Sequence, residues 1–310
     1  MSQVREELNS VPSIELENKK GTGVFGSVYE ASDKRTNMKV AVKRMKKSGK
    51  IVSREYRILL LLKNHPNVIQ MYDFFYSIDN EGTTIQNFIL EYVPNNLENL
   101  IIKQSQLDQH FPFKTIQSIM KDFLEGLKFM HSKNICHLDL KPDNILLDDD
   151  GRVKICDFGS SKIMDKHESK NIPYIVSRSF RPPEIILLIC NYDTSIDIWS
   201  AGCILGELFT LRHLFNGKKD AIQLFEIIAL IGFPSKKVIK KYFCNINSKI
   251  LKELKRFSFL KENNINKLIP SSYSSHEKSL ATQLLSEMLT FSPQNRVTAE
   301  NALKHDFFSI

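Results

Sequence analysis

Residues 137–144 read HLDLKPDN, and thirteen positions beyond Asn144 the chain reads DFG at residues 157–159. These two stretches bring two acids, an amide and a lysine into reach of one reaction centre. Asp139 can accept a proton from an attacking hydroxyl. Asn144 and Asp157 offer the oxygen ligands that suit Mg²⁺. Lys141 can neutralise charge on a group in transfer. Phosphoryl transfer needs little covalent help from a protein; it needs positioning and charge stabilisation, and this set implies both.

Towards the N-terminus, residues 21–28 read GTGVFGSV. Glycines let backbone N–H groups approach phosphates closely. The pattern alone is weak, because dinucleotide-binding folds use the same letters, but there the loop runs from strand into helix. Here the chain continues as SVYEA over 27–31. That run predicts a second strand, and so a hairpin flap. Residues 39–44 alternate like a strand and present Lys43. Glu55, twelve residues later, falls in the helical periodicity of 53–63 and can pair with it. His65, Pro66 and Asn67 end that helix.

Together these motifs resemble the catalytic core of protein kinases, over about residues 14–308. The resemblance implies an α+β, two-lobed fold. Residues 1–12 are a lead-in, 13–93 a small β-rich lobe, and 94–310 a larger helical lobe with an insertion at about 216–270. It implies ATP and Mg²⁺ as cofactors. Gly21, Thr22, Gly23, Val24 and Gly26 would form the flap, Val28 and Ala41 the roof over adenine, and Leu146 its floor. Leu90 would be the gatekeeper, and the backbone of Glu91 and Val93 would bond adenine. Cys156, just before Asp157, would be reachable from the pocket. Lys43, oriented by Glu55, would hold phosphates, and Asp139 and Lys141 would act at the transferred group. Asn144 and Asp157 would hold the metal. Leu59, Met71, His137 and Phe158 match the stacked regulatory spine. Asp197 would anchor the catalytic loop, and Glu184 would pair with Arg296.

Lys141, two residues after Asp139, marks the serine/threonine class. The activation segment, DFGSSK at 157–162 and YIVSRSFRPPE at 174–184, resembles the shaggy or glycogen synthase kinase-3 type. Cyclin-dependent kinases are a nearby alternative, but residues 53–56 lack their cyclin-docking sequence. Mitogen-activated kinases need a Thr-x-Tyr pair that does not precede Tyr174. The shaggy type implies a basic pocket for a phosphate already on the substrate, four residues beyond the target. Arg54 and Lys162 match two of its members. The third is Leu138 here, which provides no fork for phosphate; Arg178 and Arg181 are candidates to stand in. Tyr174 matches an autophosphorylated tyrosine that Arg181 would meet. Expected partners are protein or peptide substrates, acidic or pre-phosphorylated, and scaffold proteins. The rival classes are a nucleotide-binding pseudokinase scaffold, for which Leu138 gives a foothold, and a small-molecule kinase.

Bulk properties fit these readings. The chain has 310 residues, 42% hydrophobic and 25% charged, which is ordinary for a globular protein. No apolar run reaches the roughly 20 residues of a membrane span. No secretory, myristoylation or prenylation signal is expected. Five cysteines, an odd number without zinc spacing, read as reduced thiols in a cytoplasmic or nuclear setting. Net charge is +8, with many of the lysines in 234–267, which read as a solvated face. Nucleic-acid motifs are absent, and a monomer is the default.

Overall fold

The structure is a computed structural model that describes residues 14–23, 26–47, 53–164, 176–189, 192–242, 252 and 254–309. The lead-in at 1–12, Val24 and Tyr174 lie outside the described residues.

The first third of the chain is a five-stranded antiparallel sheet of order β1-β2-β3-β5-β4. Its strands are β1 (Ile14–Gly23), β2 (Gly26–Asp33), β3 (Met38–Lys46), β4 (Met71–Ile78) and β5 (Thr84–Glu91). Helix α1 (Arg54–Leu61) is inserted between β3 and β4. The β1–β2 ladder runs to Gly23 opposite Gly26, so the Gly-rich loop is a hairpin between strands, as the run at 27–31 predicts. Gly26 has φ +139°, and a Cβ there would stand 2.2 Å from the Arg44 carbonyl oxygen, so only glycine fits.

The apolar run that begins at Val68 becomes strand only at Met71. Its first residues turn the other way: Ile69 N–H donates to the Ile155 carbonyl at 3.0 Å, and Ile155 N–H donates to Asn67 O at 2.9 Å. One apolar run is thus divided between the sheet and the helical part, which periodicity cannot show.

The remainder is mainly helical: α2 (Leu97–Gln106), α3 (Phe113–Ser132), α4 (Pro183–Ile186), α5 (Ser195–Thr210), α6 (Asp220–Ile231), α7 (Lys236–Tyr242), α8 (Ser275–Met288) and α9 (Ala299–Ala302). Two small ladders accompany these helices. One joins β6 (Asn95–Asn96), β8 (Ile145–Leu147) and β9 (Val153–Ile155); the other pairs β7 (Ile135–Cys136) with β10 (Lys162–Ile163). The α+β expectation is borne out. Helix α5 is buried all round, from Ile196 to Phe209, as its near-continuous apolar sequence requires. It is the axis on which the catalytic loop is mounted. Among the described residues no helix is long and apolar enough to cross a membrane.

Helix α3 lies against the β9 strand through Gly126. A Cβ there would sit 2.8 Å from Ile155 Cδ1 and 3.0 Å from Asn67 O. Gly126→Ala therefore sets overpacking of about 1–3 kcal/mol against roughly 1 kcal/mol of helix propensity gained. The expected net result is a modest fall in melting temperature; a rise would show that Ile155 swings aside freely.

Candidate active site

Three parts of the chain meet at Lys43. The lysine projects from β3 and is 6% exposed. Its Nζ lies 2.6 Å from Glu55 Oε1 and 2.7 Å from Asp157 Oδ1. Glu55 is held in the first turn of α1, which is capped by Ser53 Oγ accepting from the Tyr56 N–H. Burial alone would push the Lys43 ammonium down, but the two carboxylates outweigh it and hold its pKa above the usual value. Asp157 is lowered in turn: burial opposes ionisation, and the Lys43 charge and hydrogen bond overcome it. Glu55 Oε2 is buried and has no hydrogen-bond partner.

The catalytic loop hangs from α5. Asp197, in the first turn of that helix, accepts from the His137 N–H at 2.8 Å and the Leu138 N–H at 3.1 Å. His131 Nε2 lies 3.0 Å from the same carboxylate. Burial opposes charge on Asp197, but His131 and these amides keep its pKa low. These bonds hold Leu138 at φ +67°, a strained conformation for leucine that the surroundings must impose. Its side chain is 1% exposed and packs with Cys136, Val176, Ile185, Tyr192 and Ile196. The position that the family pattern gives to a phosphate-binding cation is therefore filled by an apolar cluster.

Asp139 is half-buried, with Oδ2 3.9 Å from Lys141 Nζ. Its Oδ1 accepts from the Ser177 hydroxyl at 2.6 Å and the Ser177 N–H at 3.2 Å. Sequence reasoning missed Ser177. It lies 38 residues from its partner, and no short motif joins the two. The Asn144 Nδ2 donates to the Asp139 carbonyl at 2.8 Å, which leaves its side-chain oxygen for other work. Asp157, at φ +59°, is the second strained non-glycine residue here.

The other predicted residues are placed as follows. Gly21 and Thr22 lie on β1, with Gly23 at its end facing Gly26. Val28 on β2, Ala41 on β3, Leu146 on β8 and Leu90 on β5 are half-buried, as are Val93 and Cys156. The Glu91 N–H already donates to Gln70 O at 2.9 Å, which leaves Glu91 only its carbonyl for a nucleotide base. Its carboxylate meets Lys154 at 2.9 Å. Burial, with the neighbouring Asp157 carboxylate, pushes the Cys156 thiol far up. Leu59, Met71, His137 and Phe158 are all buried, with the His137 and Phe158 rings 5.3 Å apart. Arg54 is exposed on α1, which packs against the strand carrying Lys162. Arg178 and Arg181 are committed elsewhere: Arg178 to the Lys218 carbonyl, Arg181 to the Val176 carbonyl and Asp220. Arg296 forks onto Glu184 at 2.8 and 3.1 Å.

The profile of the protein kinase domain matches residues 14–308. The chain belongs to the protein kinase family. It is 35% identical over 303 residues to a "Probable serine/threonine-protein kinase glkA" of Dictyostelium discoideum, covering 97% of this chain and 60% of that relative. It is 33% identical over 290 residues to "Protein kinase gsk3" of Schizosaccharomyces pombe, covering 93% of this chain and 72% of that one. The kinase domain thus spans less than two thirds of the first relative and nearly three quarters of the second.

Family membership implies ATP use, with Mg²⁺ as the usual ion, and the donor set fits both. The carboxylate of Asp157 and the uncommitted amide oxygen of Asn144 are hard oxygen donors. Mg²⁺ is commonly held by one or two carboxylates together with substrate phosphates. Among the described residues no group of three or more His, Cys, Asp or Glu is placed to hold a metal ion by itself.

Proposed function

We propose that the kinase domain transfers the γ-phosphate of ATP to serine or threonine hydroxyls of protein substrates. The observation that carries this reading is Lys43 bonded at once to Glu55 and Asp157, across three separate elements. Lys43 is thereby held charged and aimed where phosphates would lie. Mg²⁺ bound with the nucleotide, held by Asp157 and Asn144, would neutralise phosphate charge. Asp139 accepts the proton of the attacking hydroxyl on its carboxylate. Ser177 and Lys141 fix that carboxylate and balance its charge. A pseudokinase scaffold would not need this assembly. Transfer of labelled phosphate from ATP to a basic or a primed peptide tests the reading; nucleotide binding with no transfer to any peptide, under varied metal, would replace it with the scaffold.

The finer reading concerns substrates. Arg54 and Lys162 stand on neighbouring elements and support a pocket for a phosphate or carboxylate on the substrate. The apolar packing of Leu138 supports a weak one. Two cations, one of them exposed, should favour a peptide phosphorylated at the +4 position by roughly two- to tenfold in kcat/KM. Equal rates for primed and unprimed peptides would remove the priming role, and a thousandfold advantage would require a third cation.

A further inference from the structure

Lys43, which bonds Asp157, marks the face of the sheet that turns towards the cleft. Residues directly opposite in a ladder share a face, and faces alternate along a strand. Val28 stands opposite Lys43, and Ala41 stands opposite both Glu30 and Leu90. Glu30 and Lys39 therefore lie in the same row as Val28 and Ala41, the expected roof over adenine. Glu30 is 4% exposed. A carboxylate buried beside apolar neighbours is costly unless it is paired. Here both oxygens are taken: Oε2 lies 2.7 Å from Lys20 Nζ, and Oε1 meets Lys39 Nζ. The β1–β2 register shifts between Lys19 and Gly21, which makes Lys20 the extra residue of a bulge. Bulges re-aim side chains, and they recur beside active sites.

The two ammoniums converge again on the Tyr92 ring. Lys39 Nζ lies 4.9 Å from its centroid and Lys20 Nζ 6.0 Å, within the reach of a cation–π attraction. Three strands thus hold the residue that directly follows β5. Tyr92 has a particular place in the backbone. Peptide units are planar, and the two that meet at the Tyr92 Cα carry the Glu91 carbonyl and the Val93 N–H. These are the hinge groups expected to bond adenine, the Glu91 N–H being spent on Gln70 O. Adenine offers an amino donor beside a ring-nitrogen acceptor, which matches that carbonyl and that N–H. Guanine offers a carbonyl oxygen where adenine has its amino group, so it meets the hinge with the wrong polarity.

We propose that Glu30 is a positioning residue for the nucleotide base: through Lys20 and Lys39 it holds the Tyr92 ring, and through Tyr92 it fixes the two hinge peptides that select adenine over guanine. The inference rests on the kinase reading above. Glu30 touches neither Lys43 nor Asp139, so its influence falls on binding of the base and not on transfer of the phosphoryl group.

The test combines titration of a fluorescent ATP analogue, displaced by ATP or GTP, with steady-state transfer. Glu30→Gln keeps the shape and removes the charge that gathers the two lysines. It should raise the KM for ATP by roughly three- to tenfold, the equivalent of one or two cation–π contacts, while kcat falls by less than about twofold. The preference for ATP over GTP should shrink by a similar factor. Tyr92→Leu should reproduce both effects, and Tyr92→Phe, which keeps the ring, should show neither. The double variant Glu30→Gln with Tyr92→Leu should be no worse than either single one, because both act through the same contact. Melting curves check that each variant folds; if Glu30→Gln does not, the contrast between Tyr92→Leu and Tyr92→Phe decides. Unchanged ATP affinity and ATP-to-GTP preference in folded Glu30→Gln, or additive losses in the double variant, overturn the proposal. Nucleotide binding without transfer to any peptide overturns only the kinase reading, and the affinity ratios still decide the role of Glu30.

Discussion

Asp139→Asn should lower turnover by about 10²- to 10⁴-fold, the usual contribution of a positioned general base, while nucleotide affinity stays near that of the unaltered chain. The geometry makes this substitution a clean probe. Asp139 Oδ1 accepts from both the hydroxyl and the amide of Ser177, and an asparagine carbonyl oxygen can accept the same two bonds. The shape of the loop and its link to the activation segment therefore survive. What is lost is the ability to take a proton and the negative charge opposite Lys141. Lys43, Glu55 and Asp157, which would hold the nucleotide, do not touch the altered group. Single-turnover transfer rates and a nucleotide titration separate the two effects. Unchanged turnover would remove Asp139 from the chemistry.

Arg296→Ala should cost about 3–5 kcal/mol, the range for breaking a buried ion pair from one side. The side chains of Arg296 and Glu184 are 0% and 2% exposed and make a two-bond fork. Arg296 also donates to the carbonyls of Thr290 and Ser195 and lies 5.2 Å from the centroid of the Trp199 ring. Removing it leaves a carboxylate and two carbonyls buried with fewer donors. The melting temperature should fall by roughly 5–8 °C. A double change, Glu184→Met with Arg296→Met, should be less damaging than Arg296→Ala alone, because no buried charge is left unpaired. If the single variant melts like the unaltered chain, the pair is not holding the end of the activation segment to α8 and α9.

Much of this was legible in the chain itself. The helix at 54–61 falls inside the 53–63 periodicity, because apolar spacing and the Ser53 cap act within a few residues. The Gly-rich stretch declared itself a hairpin through the strand-forming run at 27–31 that follows it. Lys43, Glu55, Asp139, Asn144 and Asp157 stood out because each sits in a short motif. Less legible was the apolar run at 68–71, which has one periodicity and two destinations. Leu138 was visible as a departure from the pattern, but its consequence was not. Only packing against Val176, Ile185, Tyr192 and Ile196 turns a missing cation into an apolar anchor.

The sequence by itself determined which side chains can carry the chemistry and which local backbone presents them, since motif, cap and period are properties of neighbouring residues. Tertiary structure alone decided which distant groups meet. Ser177 reaches Asp139 across 38 residues, and the Tyr273 hydroxyl donates to the Phe111 carbonyl across 162, with no sequence signal to link either pair. The physical reason is range. Local preferences act over one or two turns, whereas these meetings are set by how α5 is buried and what its burial draws around it.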